Sequence, residues 1–136
     1  VNKQIKLTLI IGSILAMLSV GIGAFAAHAL KESIEPYALS IIETGARYQM
    51  YHALALIALA SVALRLASFS ISLPVFCFSI GTVCFSGSLY VLALTNIKWV
   101  VFVTPLGGLL FIVGWCACIY SVFRYDHAGV KDLPHE

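Results

Sequence analysis

Four long apolar stretches set the terms for this chain. They run from about Leu7 to Ala29, Tyr48 to Leu66, Leu73 to Thr95 and Val100 to Phe123. Each is close to the roughly 20 residues an α-helix needs to cross the hydrocarbon core of a bilayer. Every charged side chain lies outside these stretches or near their ends. Arg47 and Arg65 bracket the second, 18 positions apart, or roughly 27 Å of helix at 1.5 Å per residue. Composition closes off the soluble alternative. The chain has 136 residues, 61% of them hydrophobic and 10% charged, against about 25% charged in an ordinary soluble domain. So short a chain cannot enclose that much apolar surface in one soluble core. The reading is all-α: a four-transmembrane-helix antiparallel bundle forming a single integral membrane domain over residues 1–136.

The first stretch has some features of a secretory leader: Lys3 and Lys6 precede it, and Ala27-His28-Ala29 has a small-x-small form. It is too long for a leader's apolar region of about 7–15 residues, so it reads as a span. Lys and Arg set orientation. Lys3, Lys6, Arg65, Arg124 and Lys131 fall on one side, and Lys31, Arg47 and Lys98 on the other. Five against three places both termini in the cytoplasm.

Between the first two spans lies "SIEPYALSIIETGA", residues 33–46. Ile34, Tyr37, Ala38, Ile41 and Ile42 follow the spacing of an amphipathic helix. Too short to span, it is expected as a separate interfacial helix over about 33–45. Ser33 would cap it, Pro36 fits its first turn, and Gly45 would mark the bend into the second span. A tight turn over Asn96 to Lys98 joins spans three and four, and a polar tail is expected over 124–136. Ser19, Gly23 and Ala27 step by four along the first span, a pattern that serves helix packing.

Several chemistries are disfavoured at once. The formal charge is only +2, without a basic run or phosphate loop, so nucleic acid is not a partner. Cys77, Cys84, Cys116 and Cys118 all lie in spans without a C-x-x-C pair. They read as small buried hydrophobes, with no disulfide framework or zinc site. No acidic residue lies within a span, which leaves no carboxylate relay. Ser86 and Ser88 lack a nucleophile elbow and an acidic partner. An enzyme is therefore the weaker reading.

Four motifs carry more polarity than packing needs: "GAFAAHAL" (23–30), "RYQMYHALAL" (47–56), "FSGSLY" (85–90) and "TPLGG" (104–108). The alternating direction of the spans brings all four to one half of the bundle. His28, Arg47, Gln49, His52, Ser86, Ser88, Tyr90 and Thr104 form the candidate polar cluster, because polar side chains in a membrane turn to the bundle interior. His52 is expected to bond a hydroxyl or backbone group from span three or four. The plainer readings make Arg47, Tyr48 and Tyr51 interfacial anchors, and His28 and His52 interhelical glue. Haem or a metal held by His28 and His52 would lack a third ligand apart from Glu32 and Glu43, and no cofactor is predicted. Pro105 with Gly107 and Gly108 would kink the fourth span or loosen it for a close neighbour.

In this order the four motifs, with "FIVGW" (111–115) after the last, resemble the domain-of-unknown-function family 423. This family, also called UPF0382, comprises small inner-membrane proteins of the YgdD and YwdK type, related to transmembrane protein 256. The likeness covers roughly residues 7–123; Ala26 and Ala29 stand where the family usually has glycine. The resemblance implies a four-span inner-membrane protein and supplies no catalytic residue. The expected function is a non-enzymatic accessory or envelope-homeostasis factor in contact with lipid, a membrane-protein partner or its own copies. The alternative is a binder or carrier of a small ligand, ion or cofactor at the polar cluster.

Overall fold

The computed structural model describes residues 2–66 and 69–131. Helix α1 (Lys3–Phe25) starts at Asn2, whose side chain accepts from the Gln4 backbone N–H at 3.0 Å. It continues into a π-helical turn, Ala26–Leu30. Helix α2 (Pro36–Arg65) begins on proline, whose fixed φ and missing N–H suit a first helical position. Helix α3 (Ser72–Thr82), a second π turn (Val83–Gly87) and α4 (Ser88–Thr95) form one rod. Asn96 ends it in the left-handed region at φ 56°, a conformation asparagine tolerates better than most residues. A 3₁₀ turn (Lys98–Phe102) leads into α5 (Val103–Lys131). The described residues contain helices and no strand.

Among the described residues, three segments are long and apolar enough to cross a membrane: Lys3–Leu30, Ser72–Thr95 and Lys98–Tyr125. Large apolar side chains crowd their outer faces, with Met17, Val20, Phe102 and Phe123 more than half exposed. Contiguous apolar surface on this scale does not suit water. Helix α2 differs in having one long buried face and one exposed face. It packs α1 on one side and the α3–α4 rod on the other. Its buried face runs Ile42, Gly45, Ala46, Gln49, His52, Ala53, Leu56 and Ala60. Polar residues on that face meet protein, so α2 tolerates a less apolar sequence than its neighbours. The apolar core gathers Leu56, Leu59, Phe78 and Phe111. Near the chain's start, Gln4 Nε2 donates to Ser72 Oγ at 2.9 Å, and Ser121 Oγ donates to the Ser70 carbonyl at 2.9 Å.

Four expectations change. The segment 33–45 is not a separate helix: from Pro36 it is the opening of the 30-residue α2. Its inward stripe continues in phase into the next stretch, and nothing between breaks the helix. Gly45 is no bend; a Cβ there would meet the Tyr90 ring at 2.7 Å, so glycine serves a close approach. Ser33 lies before the helix, where its hydroxyl donates weakly to the Ala29 carbonyl at 3.4 Å. At the other end, the polar tail expected from 124 is helical through Lys131; residues 132–136 lie outside the described residues.

Candidate functional site

Five of the eight candidate residues lie along a polar seam that stitches four helices. Gln49 is its hub. Its Nε2 donates to the Leu15 carbonyl of α1 at 2.8 Å, and its Oε1 accepts from the Tyr90 hydroxyl of α4 at 2.9 Å. One turn away, Ser86 Oγ donates to the Gly45 carbonyl at 2.7 Å. Ser88 Oγ and Thr104 Oγ1 share a hydrogen bond at 2.7 Å, joining α4 to α5, and Ser88 also donates to the Phe85 carbonyl at 2.9 Å. Gln49, Ser86 and Ser88 are buried.

The backbone makes these contacts reachable. The Val83–Gly87 π turn widens the rod; such bulges re-aim side chains within a helix. Gly107 lets α5 lie against that turn, since a Cβ there would collide with the Phe85 backbone nitrogen. "TPLGG" therefore owes one glycine to a helix contact. Pro105 does not kink a long helix. It sits in the first turn of α5, where an N–H has no intrahelical partner in any case.

His52 is only 4% exposed yet stands apart from the seam. Its Nδ1 lies 2.8 Å from the Tyr48 carbonyl on its own helix. A carbonyl can only accept, so Nδ1 carries the proton, and in the neutral ring Nε2 holds a lone pair. Nε2 is buried with no partner among the described residues. Around the ring stand Phe111 at 3.5 Å, Phe78 at 5.1 Å and Trp115 at 6.1 Å between centroids. The expected bond from His52 to the third or fourth apolar stretch is replaced by a stacking contact. The helical period explains this, because residues 52, 55 and 59 share the stripe that faces the rings of α5.

His28 and Arg47 do not join these groups; both are exposed. Arg47 is two residues from both Gly45 and Gln49, which turns it to the opposite side of α2. Tyr48 and Tyr51 beside it are 40% and 54% exposed, Tyr48 at the edge of the packed face with its ring 4.8 Å from that of Phe85. His28 sits in the first π turn, whose buried residue is Ala26. No three His, Cys, Asp or Glu gather among the described residues. The seam also includes Ser19, which the list of candidates lacks: its Oγ donates to the Ala46 carbonyl at 2.6 Å. A hydroxyl in the Ser19-Gly23-Ala27 stripe was the available signal. Chemically, the seam spends its donors on carbonyls and hydroxyls inside the protein and contains no ionised group.

Relatives of this chain are named as membrane proteins. The sequence pattern of a "Protein of unknown function (DUF423)" matches residues 22–108. The UPF0382 membrane protein SAB0533 of Staphylococcus aureus (strain bovine RF122 / ET3-1) is 41% identical over 120 residues, covering 88% of this chain and 98% of that protein. The UPF0382 membrane protein YwdK of Bacillus subtilis (strain 168) is 40% identical over 121 residues, with coverage of 88% and 98%. The UPF0382 inner membrane protein YgdD of Escherichia coli (strain K12) is 37% identical over 126 residues, with coverage of 93% and 96%. No solved structure matches the chain significantly. A pattern spanning most of the chain, with relatives matched almost end to end, leaves one conclusion: this chain belongs to the DUF423 family, the UPF0382 membrane proteins.

Proposed function

We propose that this protein is a four-span integral protein of a bacterial inner membrane, with both termini in the cytoplasm, acting as a non-enzymatic accessory or envelope-homeostasis factor. Three of the spans are the segments long and apolar enough to cross unaided. Helix α2 is the fourth, with one face buried against its neighbours and its amphipathic opening near the outer interface. Lys3, Lys6, Arg65, Arg124 and Lys131 on one side of the spans outnumber Lys31, Arg47 and Lys98 on the other, which supports the orientation.

The observation that carries the non-enzymatic reading is the state of Gln49. Both ends of its amide are occupied by protein groups, and the hydroxyls beside it in the seam are bonded to carbonyls, an amide oxygen or one another, with no imidazole or carboxylate to activate them. Such a group fixes how helices meet, and its work is done by packing and by contacts with lipid or a protein partner. A second reading, a small-ligand or cofactor site, draws on the partnerless Nε2 of His52. Complementation separates the two. In a strain whose phenotype the wild-type protein restores, a folded and inserted His52→Ala protein should restore it as well. Loss of rescue with normal insertion would transfer the function to His52.

A further inference from the structure

The start of α3 and the latter half of α5 enclose a pocket of about 320 Å³, inside the roughly 300–1,000 Å³ of ordinary ligand sites. Its lining is mixed. Buried Pro74 and Ala117 give it apolar surface. Tyr120, Arg124 and Tyr125, within two turns of α5, bring a guanidinium and two phenols. The Ser121 hydroxyl donates to the Ser70 carbonyl at 2.9 Å and ties the two sides together. Tyr125 is further held by its ring, which meets that of Phe69 edge-on with centroids 6.3 Å apart. The Arg124 guanidinium and the hydroxyls of Tyr120 and Tyr125 make no hydrogen bond or ion pair with the described residues, so their donors are available to a ligand.

Charge at this end of the bundle has one sign. The bond from Gln4 to Ser72 sets the start of α1 beside the start of α3, and Lys3 and Lys6 lie on that first stretch of α1. Arg65 closes α2 at the same end. Glu32, Glu35 and Glu43 lie at the opposite end, after α1 or in the opening of α2. Among the residues whose side chains are described, the pocket's end therefore has cations and no carboxylate.

We propose that this pocket binds a phosphate group of net negative charge, presented by an anionic phospholipid or by a soluble phosphate ester. A guanidinium offers its N–H donors as a fork that matches phosphate oxygens, and the two phenols supply further donors. Basic pockets between membrane helices on the cytoplasmic side suit anionic headgroups. Pro74 and Ala117 give whatever is attached to the phosphate an apolar surface to rest on. A zwitterionic headgroup fits less well, because its ammonium would meet cations and no carboxylate. The phospholipid source rests on the reading that these helices stand in a bilayer; the phosphate chemistry does not.

Arg124 and Tyr120 are exposed, so their substitution leaves the helix packing in place. Wild-type protein reconstituted in nanodiscs of equal phosphatidylethanolamine and phosphatidylglycerol is released into mild detergent and examined by native mass spectrometry. One phosphatidylglycerol per chain should remain bound. Arg124→Gln should lower its occupancy about tenfold, and Tyr120→Phe, which removes only a hydroxyl, by less. Arg65→Gln makes the same change of charge outside the pocket and should keep the lipid. Inorganic phosphate added to delipidated protein reads the other source. Broadening of its ³¹P NMR line that Arg124→Gln removes would assign the site to soluble phosphate, even with no lipid retained. The proposal fails if wild type holds neither probe, if phosphatidylethanolamine is retained equally, or if Arg124→Gln matches wild type with both. It also fails if Arg65→Gln loses the lipid as fully as Arg124→Gln, since diffuse surface charge would then be the cause. Resistance to carbonate extraction, measured on the same proteins, reports separately on the bilayer-spanning reading.

Discussion

The imidazole of His52 lies flat on the ring of Phe111, with centroids 3.5 Å apart and planes 6° from parallel. This contact joins α2 to α5 without a hydrogen bond, and it leaves Nε2 buried and partnerless. An unmade bond of this kind costs about 1–3 kcal/mol, while replacing the polar group with an apolar one of similar shape is often neutral or favourable. His52→Phe keeps a flat ring against Phe111 and removes the orphaned nitrogen. It should therefore unfold within about 1 kcal/mol of wild type, measured by reversible denaturation in bicelles. A loss of several kcal/mol would show that the imidazole nitrogens hold something the protein needs.

Gln49 and Tyr90 should behave as a coupled pair. Tyr90→Phe removes one interhelical bond, a loss of about 0.6 kcal/mol on the average seen in membranes. Gln49→Leu removes two bonds, including the acceptor of the Tyr90 hydroxyl, so its cost should be larger, about 1–3 kcal/mol. In the double variant their shared bond is lost only once, and the two losses should fall short of additivity by about 0.5 kcal/mol or more. Strict additivity in the same denaturation assay would mean that the 2.9 Å bond carries no coupling.

Gly107→Ala tests the contact between α5 and the π turn. The added methyl would collide with the Phe85 backbone, which cannot step aside as a flexible side chain would. Overpacking of this kind costs about 1–3 kcal/mol. Gly23→Ala is the matched control, because nothing lies within 4 Å of a Cβ there; alanine should raise helix stability slightly at that site. Equal melting temperatures for both variants would remove Gly107 from the account.

The orientation predicts opposite labelling at the two ends of the bundle. A periplasm-active reporter fused after residue 136 should be silent, and one inserted in the turn at 31–35 should be active. The reverse pattern would invert the protein without altering the seam, whose helices keep their relations in either orientation.

The helical class and the inward position of Gln49 could be read from apolar runs and their period. The continuity of α2 could not. An amphipathic opening followed by an apolar run looks like two elements, and only the common phase of Ile42, Gln49, Ala53, Leu56 and Ala60 marks them as one face. Gly45 was ambiguous for a similar reason: the ring that requires a glycine there belongs to Tyr90, 45 positions later. Neither π turn leaves a trace in hydropathy. The two histidines illustrate the limit. His28 and His52 have the same chemistry and fall in the same half of the chain's motifs, yet one is exposed and the other enclosed by rings. What separates them is which turn of helix has a neighbour.

The acceptors of the seam have a bearing on how the helices find one another. Ser19, Gln49 and Ser86 all donate to backbone carbonyls of a neighbouring helix. Each such oxygen has a second lone pair, so no helix need loosen to receive the donor. Before the helices meet, a serine hydroxyl can rest on a carbonyl one turn back along its own helix, as Thr82 does with Phe78. Docking then exchanges one acceptor for another of equal kind, and the net gain per bond is small. The exchange is demanding in position, however. A slip of one residue along either helix moves every acceptor out of reach together. The seam thus acts less as an adhesive than as a ratchet of indexed stops, selecting one alignment among many of similar affinity.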